Sequence, residues 1–138
     1  MGALNSTECS LQYWMGIKSD TEFGLINNSN ARINLARETA AIHENFNNET
    51  QAIVTYYKSQ GKDQDGDVDA TTISLQVTQD PVRIAARDAK LTQIKLKEDI
   101  IDAEKTGMET RLNAANATIE SLEKQLDKDI KDTFTFCS

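Results

Sequence analysis

The sequence predicts an all-α protein: an elongated antiparallel helical hairpin or coiled coil with a short irregular or β-hairpin tip. Three observations lead there. Apolar residues make up 38% of the 138 residues and aromatics 6%, too little for one thick core but enough for a narrow seam along extended helices. Proline occurs once, at Pro81, so almost nothing in the chain forces a helix to stop. From Pro81 onward the apolar residues return every three or four positions in a seven-residue repeat. The length suits a single domain over residues 1–138.

Asn5 followed by Glu8 forms a capping-box pattern, which places an N-terminal helical segment over residues 6–18. Leu11, Tyr13, Trp14 and Met15 supply its apolar content. Gly16 and the stretch "KSDTE" predict an interruption. Ser19 with Glu22 then caps a restart, giving a first long helix over 21–57. Leu25, Ile26, Ile33, Ala36, Ala40, His43, Phe46, Ile53 and Tyr57 recur there at threes and fours. The register drifts, and seven asparagines in the span weaken its helix propensity.

Residues 58–80 read as an acidic loop or β tip. "IVTYY" (53–57) is β-branched and aromatic, and "TTISLQVT" (71–78) alternates, with Ile73, Leu75 and Val77 on one side. Two readings stay open, a two-stranded ribbon and an irregular loop. A lone ribbon is marginal in water and would need a partner strand.

The last element is the clearest. Asp80 is placed to cap a helix whose first position is Pro81, and the long coiled-coil helix runs over 81–134. Its a positions are Ile84, Leu91, Glu98, Lys105, Leu112, Ile119 and Leu126; its d positions are Arg87, Ile94, Ile101, Met108, Ala115 and Leu122. Beyond Leu126 a spacing of four carries the seam to Ile130 and Phe134. The candidate oligomer seam is therefore Leu91, Ile94, Ile101, Met108, Leu112, Ile119, Leu122, Leu126 and Ile130. Glu98 and Lys105 are charged seam positions, costly if each met its own copy in a parallel homodimer. They favour antiparallel pairing with the first long helix, whose Asn, Thr and His43 side chains would face them.

One stretch carries metal-ligating chemistry. "GKDQDGDVDATT" (61–72) sets four aspartates at alternate positions around a glycine. With Gly66 at position 6, Asp63, Asp65, Asp67, Val68 and Asp69 fall at 3, 5, 7, 8 and 9, and in this the stretch resembles EF-hand and dockerin loops. The resemblance implies calcium as ligand. It breaks at the first position, Gly61, and at the twelfth, Thr72, where the strongest carboxylate ligands belong, so the implied site is weak. The other reading is a solvated acidic loop that keeps the tip soluble.

Two shorter likenesses concern architecture. "WMG" (14–16) is similar to the W-x-G turn of small helical-hairpin secretion substrates, although here it lies near the chain start and not between two helices. "ARINLARETAAI" (31–42) resembles, over a few residues, the N-terminal helix of flagellins. The plan of paired terminal helices around a divergent middle is similar to that of flagellin-like and secretion-filament subunits.

Charge and motif content exclude other classes. A net charge of −7 and a pI near 4.7 argue against nucleic acid and anionic membranes, which select clustered Lys and Arg. No apolar run approaches the ~20 residues of a membrane span. The N-terminus lacks the basic start and apolar stretch of a secretory signal, so the expected localisation is cytoplasmic, or outside the cell by a signal-less route. Cys9, Cys137 and His43 are too few for a four-ligand zinc site, and the cysteines read as free thiols or as a bridge between the chain ends. With no phosphate loop, H-E-x-x-H or G-x-S-x-G, the chain is not expected to be an enzyme. The expected function is that of a structural, self-assembling coiled-coil protein, in the class of extracellular filament or secretion-apparatus subunits. Its partner would be itself or another helical protein, and it would need no cofactor beyond loop-bound calcium. The alternative is a non-enzymatic helical adaptor whose acidic tip meets a partner.

Overall fold

The protein is all-α. The computed structural model describes residues 2–61 and 70–137, with side chains over 4–60 and 72–133. Three helices follow in order: α1, Gly2–Gly61; α2, Ala70–Thr78; and α3, Pro81–Cys137. Among the described residues there is no strand. The chain forms two compact units. Unit 1 joins Met1–Ala31 to Ile100–Ser138, and unit 2 is Arg32–Asp99.

α1 runs without a break through the expected interruption at Gly16 and "KSDTE". The Thr21 hydroxyl donates to the Ile17 carbonyl at 2.7 Å, a bond within the helix where a restart was expected. The strand reading of "IVTYY" is also corrected, since these residues lie in the last turns of α1. "TTISLQVT" forms nearly all of α2. Its alternation is outweighed by the i, i+4 pair Ile73 and Val77, both buried, while Leu75 between them is 52% exposed. A strand would put all three on one side.

Asp80 caps α3 as its sequence position implies. Its carboxylate accepts from the Val82 backbone N–H at 3.0 Å, and its carbonyl accepts from Ile84. Along α3 the inward positions keep the heptad to the end of the described side chains: Ile84, Arg87, Leu91, Ile94, Glu98, Ile101, Met108, Leu112, Ala115, Ile119, Leu122, Leu126, Asp129 and Thr133 are buried or half-buried. Lys105 alone in that series is exposed. The expected slide to Ile130 does not occur. Ile130 is 37% exposed, and Asp129 takes the inward place, where it accepts a hydrogen bond from the Thr7 hydroxyl at 2.9 Å.

In unit 1 the first part of α1 meets the second part of α3 with opposite chain direction. Thr7 reaches Asp129, and Asn28 Nδ2 donates to the Ile101 carbonyl at 2.8 Å. The inner face of α1 is polar here, with Thr7, Thr21 and Asn28 all buried. Each has a hydrogen-bond partner, so none carries the cost of an orphaned polar group. Gly24 permits close approach: a Cβ there would lie 2.8 Å from Met108 Sδ. In unit 2, Leu35 and Ile94 are buried, while Thr39, Ile42, Phe46, Thr50 and Ile53 are half-buried along α1. The apolar set expected from the sequence is only partly inward. Ile26, Ile33 and Tyr57 are 58%, 49% and 52% exposed, and Ala36, Ala40 and His43 also face solvent.

Candidate functional site

The site stands where α1, α2 and α3 meet within unit 2. Its central residue is Arg83, fixed one turn into α3 by the Asp80 cap and Pro81. Its guanidinium joins all three helices. Nη1 donates to the Val77 carbonyl at 3.0 Å, in the last turn of α2. A cation at a helix C-terminus is favoured by the helix dipole. Nη2 donates to the Thr50 hydroxyl at 2.7 Å and to the Phe46 carbonyl at 3.2 Å on α1. The same guanidinium lies 4.7 Å from the centre of the Phe46 ring. Arg87, one turn further on, lies 4.5 Å from that ring and pairs with Asp88 at 3.2 Å. Two cations on one aromatic ring are tolerated because the ring's π faces and hydrogen-bonded oxygens draw on their charge.

Beside Arg83 opens a groove of about 790 Å³. Ile53, Tyr56 and Tyr57 line it from α1, Ile73 and Val77 from α2, with Asp80 and Arg83 at its polar end. Tyr56 and Tyr57 are 60% and 52% exposed and meet edge to face, with ring centres 5.6 Å apart. Its apolar walls suit an apolar side chain; its charged end holds the Asp80 carboxylate beside the Arg83 guanidinium, whose Nη groups already donate within the chain. A smaller hollow of about 170 Å³ lies against Ile42, Phe46, Glu49, Arg87 and Lys90.

The aspartates of the calcium-like loop, Asp63, Asp65, Asp67 and Asp69, lie outside the described residues. Among the described residues no group of three or more His, Cys, Asp or Glu is placed to hold a metal ion. Of the seam residues, Ile94 and Ile119 are buried and Leu91, Ile101, Met108, Leu112, Leu122 and Leu126 half-buried, with Met108 beside Gly24 and the Ile101 carbonyl bonded to Asn28 of α1; Ile130 is exposed. Cys9 is an exposed free thiol. No described helix is long and apolar enough to cross a membrane.

Sequence reasoning did not find Arg83, Phe46, Thr50 or the two tyrosines as a cluster. The available signal was arginine at the d position Arg87 and one turn earlier at Arg83, in a seam otherwise rich in Ile and Leu. An arginine held at such a position calls for a polar or aromatic partner across the seam. Compared with known proteins, the chain matches no family model, no curated protein and no solved structure.

Proposed function

We propose that this chain is a structural, self-assembling coiled-coil protein. Its α1 and α3 pair as an antiparallel hairpin, and further copies cover the surfaces that the pair leaves apolar. The observation that carries the reading is where the large apolar side chains sit. Among the described residues none is fully buried, while Tyr13, Phe23 and Ile26 in unit 1 and Val82 and Leu96 in unit 2 are 58% to 76% exposed. Fully burying one such side chain contributes about 1.5–3 kcal/mol. Ordering the backbone costs about 1–2 kcal/mol per residue. A two-layer seam with few buried residues and many half-buried ones meets that cost poorly, and association with more copies meets it better. On this reading the chemistry of the protein is packing, and the Arg83 cluster holds three helices together.

Light scattering on a sizing column tests the proposal. A mass several times 15.4 kDa that rises with concentration is expected. A monomer at all concentrations up to the millimolar range would refute it. The groove beside Arg83 favours one other reading, a helical adaptor that receives an apolar peptide segment against Ile53, Tyr56, Tyr57 and Ile73. That reading expects a small defined oligomer whose tyrosine fluorescence changes when such a peptide is added.

A further inference from the structure

In unit 1 the two facing surfaces share one period. Ser10, Ile17, Gly24 and Ala31 stand seven apart on α1, and Ile101, Met108, Ala115 and Leu122 stand seven apart on α3; every one of them is buried or half-buried. A seven-residue repeat on both helices leaves the register open. Sliding one helix by a heptad returns inward positions to inward positions, so the repeat alone accepts more than one pairing. Side-chain size tells the pairings apart.

Gly24 faces Met108, since a Cβ at Gly24 would lie 2.8 Å from Met108 Sδ. The segments run antiparallel, so one heptad back along α1 and one heptad forward along α3 give the neighbouring layer, Ile17 with Ala115. Ala115 is 0% exposed. The same step gives Ser10 with Leu122 at one end and Ala31 with Ile101 at the other, where the Asn28 side chain bonds the Ile101 carbonyl. Each layer thus sets one large side chain against one small one. The large one belongs to α3 in every layer except Ile17–Ala115, where the order is reversed. That reversal removes the ambiguity. Moved a heptad one way, Ile17 meets Met108 and Ser10 meets Ala115. Moved the other way, Ile17 meets Leu122 and Gly24 meets Ala115. Either move overfills one layer and empties another, and a close-packed interior is destabilised by both. Either move also parts Thr7 from Asp129.

We infer that the Ile17–Ala115 layer is a register lock. It selects the observed pairing of Met1–Ala31 with Ile100–Ser138 and refuses the pairings displaced by one heptad. The lock acts on any α1 that meets this part of α3, and so it stands apart from the self-assembly reading.

Thermal midpoints of full-chain variants at one protein concentration test it. Ala115→Leu overfills the Ile17 layer and Gly24→Leu the Met108 layer, and each should lower the midpoint by about 5 °C. Adding Ile17→Ala should raise the midpoint of Ala115→Leu and lower that of Gly24→Leu further. Adding Met108→Ala should do the reverse, because relief stays within a layer. A displaced register predicts other signs: Ala115→Leu would then face Ser10 or Gly24 and be neutral or stabilising. A neutral Ala115→Leu, or relief that crosses layers, would overturn the lock. If a leucine variant fails to fold, Ala115→Val and Gly24→Ala carry the same comparison. Light scattering on the same samples separates the two readings: relief confined to its layer in a protein that stays monomeric would keep the lock and refute self-assembly.

Discussion

Replacing Arg83 by methionine keeps most of the side chain's apolar stem and removes the guanidinium. The loss is three hydrogen bonds, to Val77 O, Phe46 O and Thr50 Oγ1, and the contact with the Phe46 ring. Hydrogen bonds from a charged group contribute about 1.5–3 kcal/mol each, and a cation–π contact about 0.5–2 kcal/mol. The simple total is too large, for a reason visible in the structure. The acceptors are not abandoned when Arg83 goes: Phe46 O still accepts from the Thr50 hydroxyl at 2.7 Å, and Val77 O from the Asp80 N–H at 3.4 Å. Little desolvation penalty therefore remains, and the cost falls to about 2 kcal/mol. Arg83→Lys keeps the charge but loses the fork that reaches two helices at once, for about 1 kcal/mol. Urea denaturation of the wild type and both variants at fixed protein concentration gives the comparison. Hydrogen exchange should show the lost protection concentrated in α2, which Arg83 ties to α1. A change under 0.5 kcal/mol for Arg83→Met, or loss of protection spread evenly along α3, would refute the clamp.

Gly16 and Gly24, both inside α1, should respond differently to alanine. Gly16→Ala, whose Cβ meets nothing within 4 Å, should raise stability by about 0.5–1 kcal/mol, whereas Gly24→Ala must displace Met108 and should gain nothing or lose stability; thermal midpoints decide. Asn28→Leu removes a polar group from a position only 7% exposed, while Ile101 O stays within its helix ladder, so the midpoint should hold or rise. A fall above 2 kcal/mol would mean that the Asn28 bond is essential to unit 1. Calcium titrated to about 1 mM should leave helicity and mass unchanged, because the loop sequence lacks carboxylates at its first and last ligand positions. A saturable transition by calorimetry below that level would restore the loop as a site.

α3 was legible because its signals agree. Asp80 and Pro81 mark one start, and Ile, Leu and Met at heptad positions mark one face. α1 was legible as a helix but not in its orientation. Its buried positions include Thr7, Thr21 and Asn28, while Phe23, Ile26 and Ile33 stand outside, so hydrophobicity points to the wrong face. Threonine can occupy the inner face because its hydroxyl bonds within its own helix, as at Thr21, Thr39 and Thr50. No periodicity measure registers that. α2 was misread for a local reason: Ile73, Leu75 and Val77 alternate as a strand does, and only the three-helix junction selects the i, i+4 pair. Asp129 displaced Ile130 from the seam because Thr7, more than a hundred residues away in sequence, supplies its partner. The Arg83 cluster was hidden by the same kind of distance, since Phe46 and Thr50 lie on another helix.

That difference in distance along the chain also orders events in time. The Arg83–Thr50 bond closes a span of 33 residues, and the Thr7–Asp129 bond one of 122. Closing the longer loop from an open chain costs about 1 kcal/mol more. The junction of unit 2 should therefore form first and shorten the remaining search, so that the helices zip toward the two chain ends. Stopped-flow kinetics should then show Arg83→Met slowing refolding, while Thr7→Ala leaves refolding alone and speeds unfolding.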